Sequence, residues 1–474
     1  MAENYDLVIL GAGPGGYVAA VRAAQLGMKV AVVEKEKVGG VCLHKGCIPS
    51  KTLLRSAELY HNMNNSKEFG IHVAGVELDF GLVQKRKQKV IDQLHKGVQG
   101  LLKKNKVDVY EGTGRILGPS IFSPLPGTIS VEKKDGSEPD MLVPQYVLIA
   151  TGSRPRSLPG LEVDGKAIMN SDHALAMEDL PQSILIIGGG VIGIEWASML
   201  SDFGVEVTVV EYADRILPFE DEDVSKEMTR ILKKRKVKVL TGVKVLGETA
   251  DIADGRVTLQ AEQGSETISL SAERVLVSVG RQANIDDIGL ANTSIQVEKG
   301  VIAVNEFMQT AEKHIYAIGD VVGGYQLAHV ASHEGILAVE YMAGLDVHPI
   351  DPTQVPRCTY SRPEVGSIGL TEAQAKEKGY ELKVGKFPFR AIGKSLVQGE
   401  VDGFIKIISD RETDDLLGVH IIGPHATELI SEAGLAKVLD ATAWEISHAI
   451  HAHPTLSEVY GEAALAVDGK PIHG

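Results

Sequence analysis

Two copies of one glycine pattern constrain this chain more than any other feature. An apolar run, Tyr5 to Leu10, leads into Gly11-Ala12-Gly13-Pro14-Gly15-Gly16, then a helix-forming stretch from Tyr17 to Leu26, then a second apolar run, Val30 to Val33, that ends at Glu34. The same order returns as Ile184 to Ile187, Gly188-Gly189-Gly190-Val191-Ile192-Gly193, a helical stretch through Leu200, and Val205 to Val210 ending at Glu211. The spacing from first glycine to acid is the same in both. Each copy predicts a strand-helix-strand unit of the dinucleotide-binding kind. Gly11 and Gly188 serve a tight turn, Gly13 and Gly190 let the backbone approach a pyrophosphate, Gly16 and Gly193 let the helix pack on the strand, and Glu34 and Glu211 face a ribose. The anion then rests at a helix amino terminus, where unpaired N–H groups point at it. A glycine-rich turn with no ligand is the bland alternative, and it must hold twice. Two units predict two dinucleotides, which suits an electron-transfer flavoenzyme better than a simple dehydrogenase.

Runs at Tyr146 to Ala150 and Val275 to Val279 close the two units, and Pro155 to Pro159 reads as a linker. From about Pro352 the texture changes to alternating strands, such as Phe404 to Ile408 and Gly418 to Ile422, with helices and no further fingerprint. At 474 residues, several domains of an α/β protein are expected. No run approaches the roughly 20 apolar residues of a membrane span, so no membrane is expected. The net charge of -15 opposes the phosphate neutralisation that nucleic-acid binding needs, so no nucleic acid is expected either. Met1 to Glu3 leads straight into the first apolar run without the parts of a secretory signal, which reads as cytoplasmic.

Of the three cysteines, Cys42 and Cys47 follow the first unit closely, in Gly39-Gly40-Val41-Cys42-Leu43-His44-Lys45-Gly46-Cys47-Ile48-Pro49-Ser50-Lys51. In an ideal helix that separation is about 8.7 Å between Cα atoms. A disulfide tolerates only about 4.4–6.8 Å, so joining them needs a distorted turn, which Gly46 can relieve. A redox disulfide is the favoured reading. A zinc half-site and two inert buried thiols stand beside it, although no second pair at tetrahedral-site spacing appears and no metal is expected. Cys358 stands alone and reads as a structural thiol. Near the end, His451-Ala452-His453-Pro454-Thr455-Leu456-Ser457-Glu458 places an imidazole and a carboxylate in one short loop, the residue types needed to take a proton from a thiol near neutrality.

The Cys42 to Lys51 segment resembles the active-site signature of the pyridine nucleotide-disulfide oxidoreductase family, and similar stretches extend over essentially the whole chain. Thr310 with Ile315-Tyr316-Ala317-Ile318-Gly319-Asp320 resembles that family's second FAD motif, and the His453 to Glu458 stretch its catalytic motif. The resemblance implies an FAD-binding domain over 1–150, an NAD-binding domain over 151–281, a segment completing the FAD site over 282–350 and a dimerisation domain over 351–474. The fold class is then α/β, with two Rossmann-like domains plus an α+β carboxy-terminal domain. It implies that Asp320, Gly114 and Ala328 contact FAD and that Lys51 lies near the flavin, paired with Glu195. His453 acts as base, oriented by Glu458 and reaching the Cys42–Cys47 disulfide from the other subunit of a homodimer. Gly280, Arg281 and Val243 join the NAD site. There Glu211 accepts from a ribose 2′-hydroxyl and repels a 2′-phosphate, favouring NAD over NADP despite Arg215 nearby.

Leu417 to Pro424 and Leu327-Ala328-His329 resemble most the members that oxidise dihydrolipoamide on a lipoyl domain of the acyltransferase core of 2-oxo acid dehydrogenase complexes, the branched-chain complexes nearest. The closing Pro471-Ile472-His473-Gly474 lacks the cysteine pair of mercuric reductase. One departure is His44, where many members carry asparagine. The alternative within the family is an NADPH-dependent disulfide or metal-ion reductase. Outside it, the alternative is a non-catalytic scaffold with nucleotide pockets.

Overall fold

A computed structural model of the chain describes residues 3–119 and 126–473. The outermost ends of the first and last expected domains, residues 1–2 and 474, lie outside them. The chain divides into two compact units. One comprises Met1–Thr52, Leu82–Arg156 and Arg281–Ile350; the other comprises Leu53–Gly81, Ser157–Gly280 and Asp351–Gly474.

The first unit is built on the strand Glu3–Leu10, which pairs in parallel with Val30–Glu34 on one side and Asp140–Ile149 on the other. Val30–Glu34 pairs on with Asp108–Glu111, and Ile315–Ala317 adds in parallel to Asp140–Ile149. The central strands are apolar on both faces: the helices Pro14–Gln25 and Ala328–Met342 cover one, and Ile116, Ile129, Val131, Ile288 and Ile302 pack on the other. The helix Pro14–Gln25 crosses Ala328–Met342 at a glycine contact, where a Cβ on Gly335 would stand 2.8 Å from the Gly15 carbonyl oxygen. The expected linker begins inside structure: Ser153–Pro155 pairs antiparallel with Arg281–Ala283, so the chain leaves and re-enters this unit along one two-stranded ribbon.

In the second unit the echo of the first appears as a five-stranded parallel sheet, with Ser183–Ile187 between Glu206–Val210 and Arg274–Val277. A three-stranded antiparallel meander, Val243–Ala253, Arg256–Gln263 and Glu266–Ala272, follows in sequence. The carboxy-terminal portion is a five-stranded antiparallel sheet packed on the helices Ala426–Val438 and Glu458–Val467. Its strands were expected to alternate, yet every residue of Phe404–Asp410 and Leu416–Gly423 is buried. Both faces are covered, which traps a charge. Lys406 is 3% exposed, and its Nζ meets Asp221 at 2.9 Å, Asp223 at 3.0 Å and Glu372 at 2.7 Å. Burial opposes its charge, but the three carboxylates outweigh it and hold the ammonium well above the usual lysine range. Lys406→Met should therefore cost about 3–5 kcal/mol, the penalty for leaving buried carboxylates without their cation. A lowered denaturation midpoint of the full chain would show it.

Candidate active site

The cysteine segment is bent by glycine. The helices Gly40–Lys45 and Cys47–Asn64 are separated at Gly46, whose φ of -149° and ψ of -109° are not helical. The break brings the Cα atoms of Cys42 and Cys47 to 4.7 Å, and their sulfurs are joined as a disulfide. Upstream, Gly39 and Gly40 take left-handed φ of +104° and +62°. A Cβ on Gly40 would stand 2.6 Å from Gly13 Cα, and Gly39 N–H donates to the Ala12 carbonyl at 2.8 Å. The disulfide segment is thus pressed onto the middle of the first fingerprint. Cys47 opens its helix, where backbone N–H groups favour a thiolate, and Lys51 lies one turn on, along the same face.

The two fingerprints match atom for atom. A Cβ on Gly11 or Gly188 would overlap the carbonyl of Ala150 or Ser278, and one on Gly16 or Gly193 would overlap the carbonyl of Gly11 or Gly188. Beside Gly13 and Gly190, in contrast, a Cβ would meet nothing within 4 Å. Backbone bared only at the middle glycine fits a pyrophosphate laid against it. The acids do more than expected. Glu34 accepts from Ala12 N–H at 2.8 Å and Glu36 N–H at 2.8 Å; Glu211 accepts from Gly189 N–H at 2.6 Å and Ala213 N–H at 2.8 Å. Each acid holds its own glycine turn and keeps lone pairs for a ribose hydroxyl. Arg215 is engaged by the Pro218 carbonyl at 2.8 Å. Gly193→Ala should distort only the second turn, at about 1–3 kcal/mol for an overpacked contact. The expected result is a KM for NAD raised about tenfold or more with flavin content unchanged.

Asp320 lies in the short turn Gly319–Val322, directly after the strand Ile315–Ala317. It accepts a hydrogen bond from Ser153 Oγ, which in turn accepts from Arg281 Nε at 2.7 Å, and Arg281 Nε lies 3.7 Å from Asp320 Oδ2. Arg281, expected with the NAD residues, is therefore placed in the first unit beside Asp320. Gly114 packs on the strand that feeds the first fingerprint, its would-be Cβ 2.6 Å from Leu10 Cδ2, and Ala328 opens the helix Ala328–Met342. Sequence reasoning missed Glu334 on that helix. It is buried, accepts from Gly319 N–H at 2.6 Å, and is pushed above the usual carboxyl range by burial, despite that bond, with the charge of Asp320 adding. An acid within the apolar Val330 to Val339 stretch was the available signal. In the second unit, Val243 is buried and donates from its N–H to the Glu211 carbonyl at 3.0 Å, and Gly280 has a φ of +104°. Glu195, buried on the helix Val191–Asp202, accepts from Tyr360 N–H at 2.9 Å.

His453 and Glu458 come together as the loop sequence suggested. His453 Nδ1 lies 2.8 Å from Glu458 Oε1, while Glu458 Oε2 accepts from Thr455 N–H at 2.9 Å. A carboxylate only accepts, so Nδ1 carries the hydrogen, and in the neutral imidazole Nε2 keeps its lone pair, on a side chain 78% exposed. Burial raises the Glu458 carboxyl, but the His453 and Thr455 bonds outweigh that and hold it below the usual range. The neighbouring His451 is paired with Glu432 at 2.7 Å and stacked on Tyr460.

Residues 5–335 match the family Pyridine nucleotide-disulphide oxidoreductase, and residues 355–464 match its dimerisation domain, which supports a homodimer. The chain is 67% identical to a dihydrolipoyl dehydrogenase of Bacillus subtilis, over 100% of both chains. It is 42% identical to the mitochondrial dihydrolipoyl dehydrogenase of Pisum sativum, covering 100% of this chain and 93% of the other. Among solved structures, LpdA of Mycobacterium tuberculosis superposes with a TM-score of 0.90 at 26% identity, over 98% of this chain and 99% of that one. The HOCl-induced flavoprotein disulfide reductase RclA of Escherichia coli, as its Cu(II) complex, superposes at 0.86 and 26% identity, over 98% and 99%. A redox disulfide on one glycine fingerprint, a second fingerprint of the same geometry and a match spanning most of the chain lead to one conclusion: the chain belongs to the pyridine nucleotide-disulphide oxidoreductase family.

Proposed function

We propose that this chain catalyses the dihydrolipoyl dehydrogenase reaction, oxidising dihydrolipoamide on a lipoyl domain of an acyltransferase core and reducing NAD. The observation that carries the reading is the Cys42–Cys47 disulfide, whose segment packs through Gly39 and Gly40 on the first fingerprint, in a chain alike over its full length to dihydrolipoyl dehydrogenases. Gly11, Gly13, Gly16, Glu34, Gly114, Asp320 and Ala328 hold FAD, with Lys51 beside the ring. Gly188, Gly190, Gly193, Glu211, Val243 and Gly280 serve NAD. FAD, when bound, supplies the two-electron relay between thiol and nicotinamide.

The protein's own residues handle the thiol chemistry. His453 Nε2, its tautomer held by Glu458, takes a proton from one substrate thiol. That thiolate attacks Cys42 Sγ, the Cys42–Cys47 bond breaks, and its electron pair leaves on Cys47. The second substrate thiol, deprotonated in turn, closes the lipoamide disulfide and expels Cys42. Of the two protons released, one returns to Cys42 and one stays on His453, so Cys47 remains a thiolate. In the homodimer each subunit's His453 serves the disulfide of its partner. The proposed compartment is the cytoplasm; among the described residues no helix is long and apolar enough to cross a membrane.

Anaerobic addition of dihydrolipoamide to the yellow holoprotein should produce the long-wavelength absorbance of a thiolate against flavin, and NADH should form in preference to NADPH. Consumption of NADPH by glutathione disulfide outpacing that reaction would overturn the reading in favour of an NADPH-dependent reductase.

A further inference from the structure

His44 and His95 have no part in the chemistry above. His44 stands in the helix Gly40–Lys45, between the two cysteines, and His95 in the long helix Phe80–Lys104. Their rings meet edge to face with centroids 5.1 Å apart. Both aim a nitrogen at one acceptor, the Val38 carbonyl oxygen, which lies 2.9 Å from His44 Nε2 and 3.0 Å from His95 Nδ1. A carbonyl oxygen has two lone pairs and no hydrogen, so it can accept from both, and both nitrogens must be protonated. His44 is thereby fixed as the Nε2–H tautomer and His95 as the Nδ1–H tautomer. The next residues, Gly39 and Gly40, are the left-handed pair that lie on Ala12 and Gly13.

We propose that His44 and His95 are positioning residues that clamp the Val38–Gly40 turn, holding Cys42 in register with the pyrophosphate-binding turn of the first fingerprint. The inference rests on the reading of Cys42 and Cys47 as the redox pair. The turn is tied to Ala12 by the Gly39 N–H and anchored by the buried Val38 side chain, but its two adjacent glycines carry no side chains to pack and lose the most freedom on ordering. A carbonyl held from two separate helices supplies what they lack. The clamp works best while the His44 ring is neutral, because burial disfavours a charge there. Burial lowers the proton affinity of His44, with His95 and Lys37 adding to that and the Val38 bond and Glu34 opposing it. A proton affinity lower in the folded state means the unfolded chain binds the proton first as pH falls. The clamp's contribution is therefore complete above the ordinary histidine range and declines on acidification below it.

The test is hydrogen exchange followed by mass spectrometry on full-length, flavin-loaded protein, together with the rate of flavin release. His95→Ala should accelerate exchange in the peptide spanning Val38 to Cys42 about tenfold, as expected for about 1.4 kcal/mol of lost hydrogen bonding, and hasten flavin loss. His95→Gln, which keeps an N–H donor, should recover most of the protection. If His95→Ala does not fold, His44→Ala carries the same expectation. Unchanged exchange and flavin release would overturn the clamp, as would acceleration spread evenly over the whole unit. Bleaching of wild-type flavin by dihydrolipoamide keeps the two readings apart. Its absence sinks the redox pair, whereas bleaching with an unresponsive turn sinks only the clamp.

Discussion

Cys42→Ser should lower dihydrolipoamide-dependent NADH formation on the order of 10⁴-fold or more, with flavin still bound. The nucleophile's target is the Cys42–Cys47 bond itself, and removing a group that forms the covalent intermediate removes the route rather than slowing it. Serine keeps the shape of the Gly40–Lys45 helix, so the turn on Gly13 and the bound flavin should survive. Stopped-flow measurement separates the steps. Reduction of the flavin by dihydrolipoamide should vanish, while reduction by NADH from the nicotinamide side should persist. Substantial dihydrolipoamide turnover in Cys42→Ser would sink the mechanism.

His453→Gln should cost about 10²–10⁴-fold in kcat, the usual contribution of a positioned general base. Glutamine fills similar space but cannot take a proton, so binding of NAD and flavin content should not change. The loss should be confined to the half-reaction with dihydrolipoamide and should be partly recovered at high pH, where the substrate thiols ionise unaided. Glu458→Gln should show a smaller defect of the same kind, about 10²-fold, because an amide has one acceptor oxygen for the two donors His453 Nδ1–H and Thr455 N–H; with that oxygen on Thr455, the amide NH2 faces Nδ1 and favours the wrong tautomer. Since the Glu458 carboxyl is held below the usual range, the pair's contribution to stability is complete above that range and is lost only as pH falls through it. Wild-type activity should therefore show no acid limb attributable to Glu458 near neutrality.

How far this chemistry could be read from the sequence depended on how local each signal was. The glycine turns were legible because three glycines and an acid at set distances encode a backbone path directly. The structure reproduces it twice, down to the bared position at Gly13 and Gly190. The cysteine pair was legible for a related reason: five residues in a straight helix hold two Cα atoms too far apart, so a break was required, and it falls at Gly46. His453 and Glu458 share one loop and met as expected. Less legible were the carboxy-terminal strands, whose alternating texture hid that both faces are covered.

Contacts between residues far apart in the chain were beyond reach. Nothing near Arg281 announces that Ser153 and Asp320 receive it, nothing near Lys406 announces Asp221, and the two roles of Glu34 appear only when its carboxylate is seen gripping the turn it follows. Local pattern thus determined the two nucleotide folds, the cysteine pair and the His453–Glu458 pair, since each is written within one strand-helix-strand unit, one turn or one loop. Tertiary packing alone decided which charges are buried together, which turns are clamped and where Arg281 lies. Those depend on the free energy of desolvating groups that the chain brings together only after its strands have found their order.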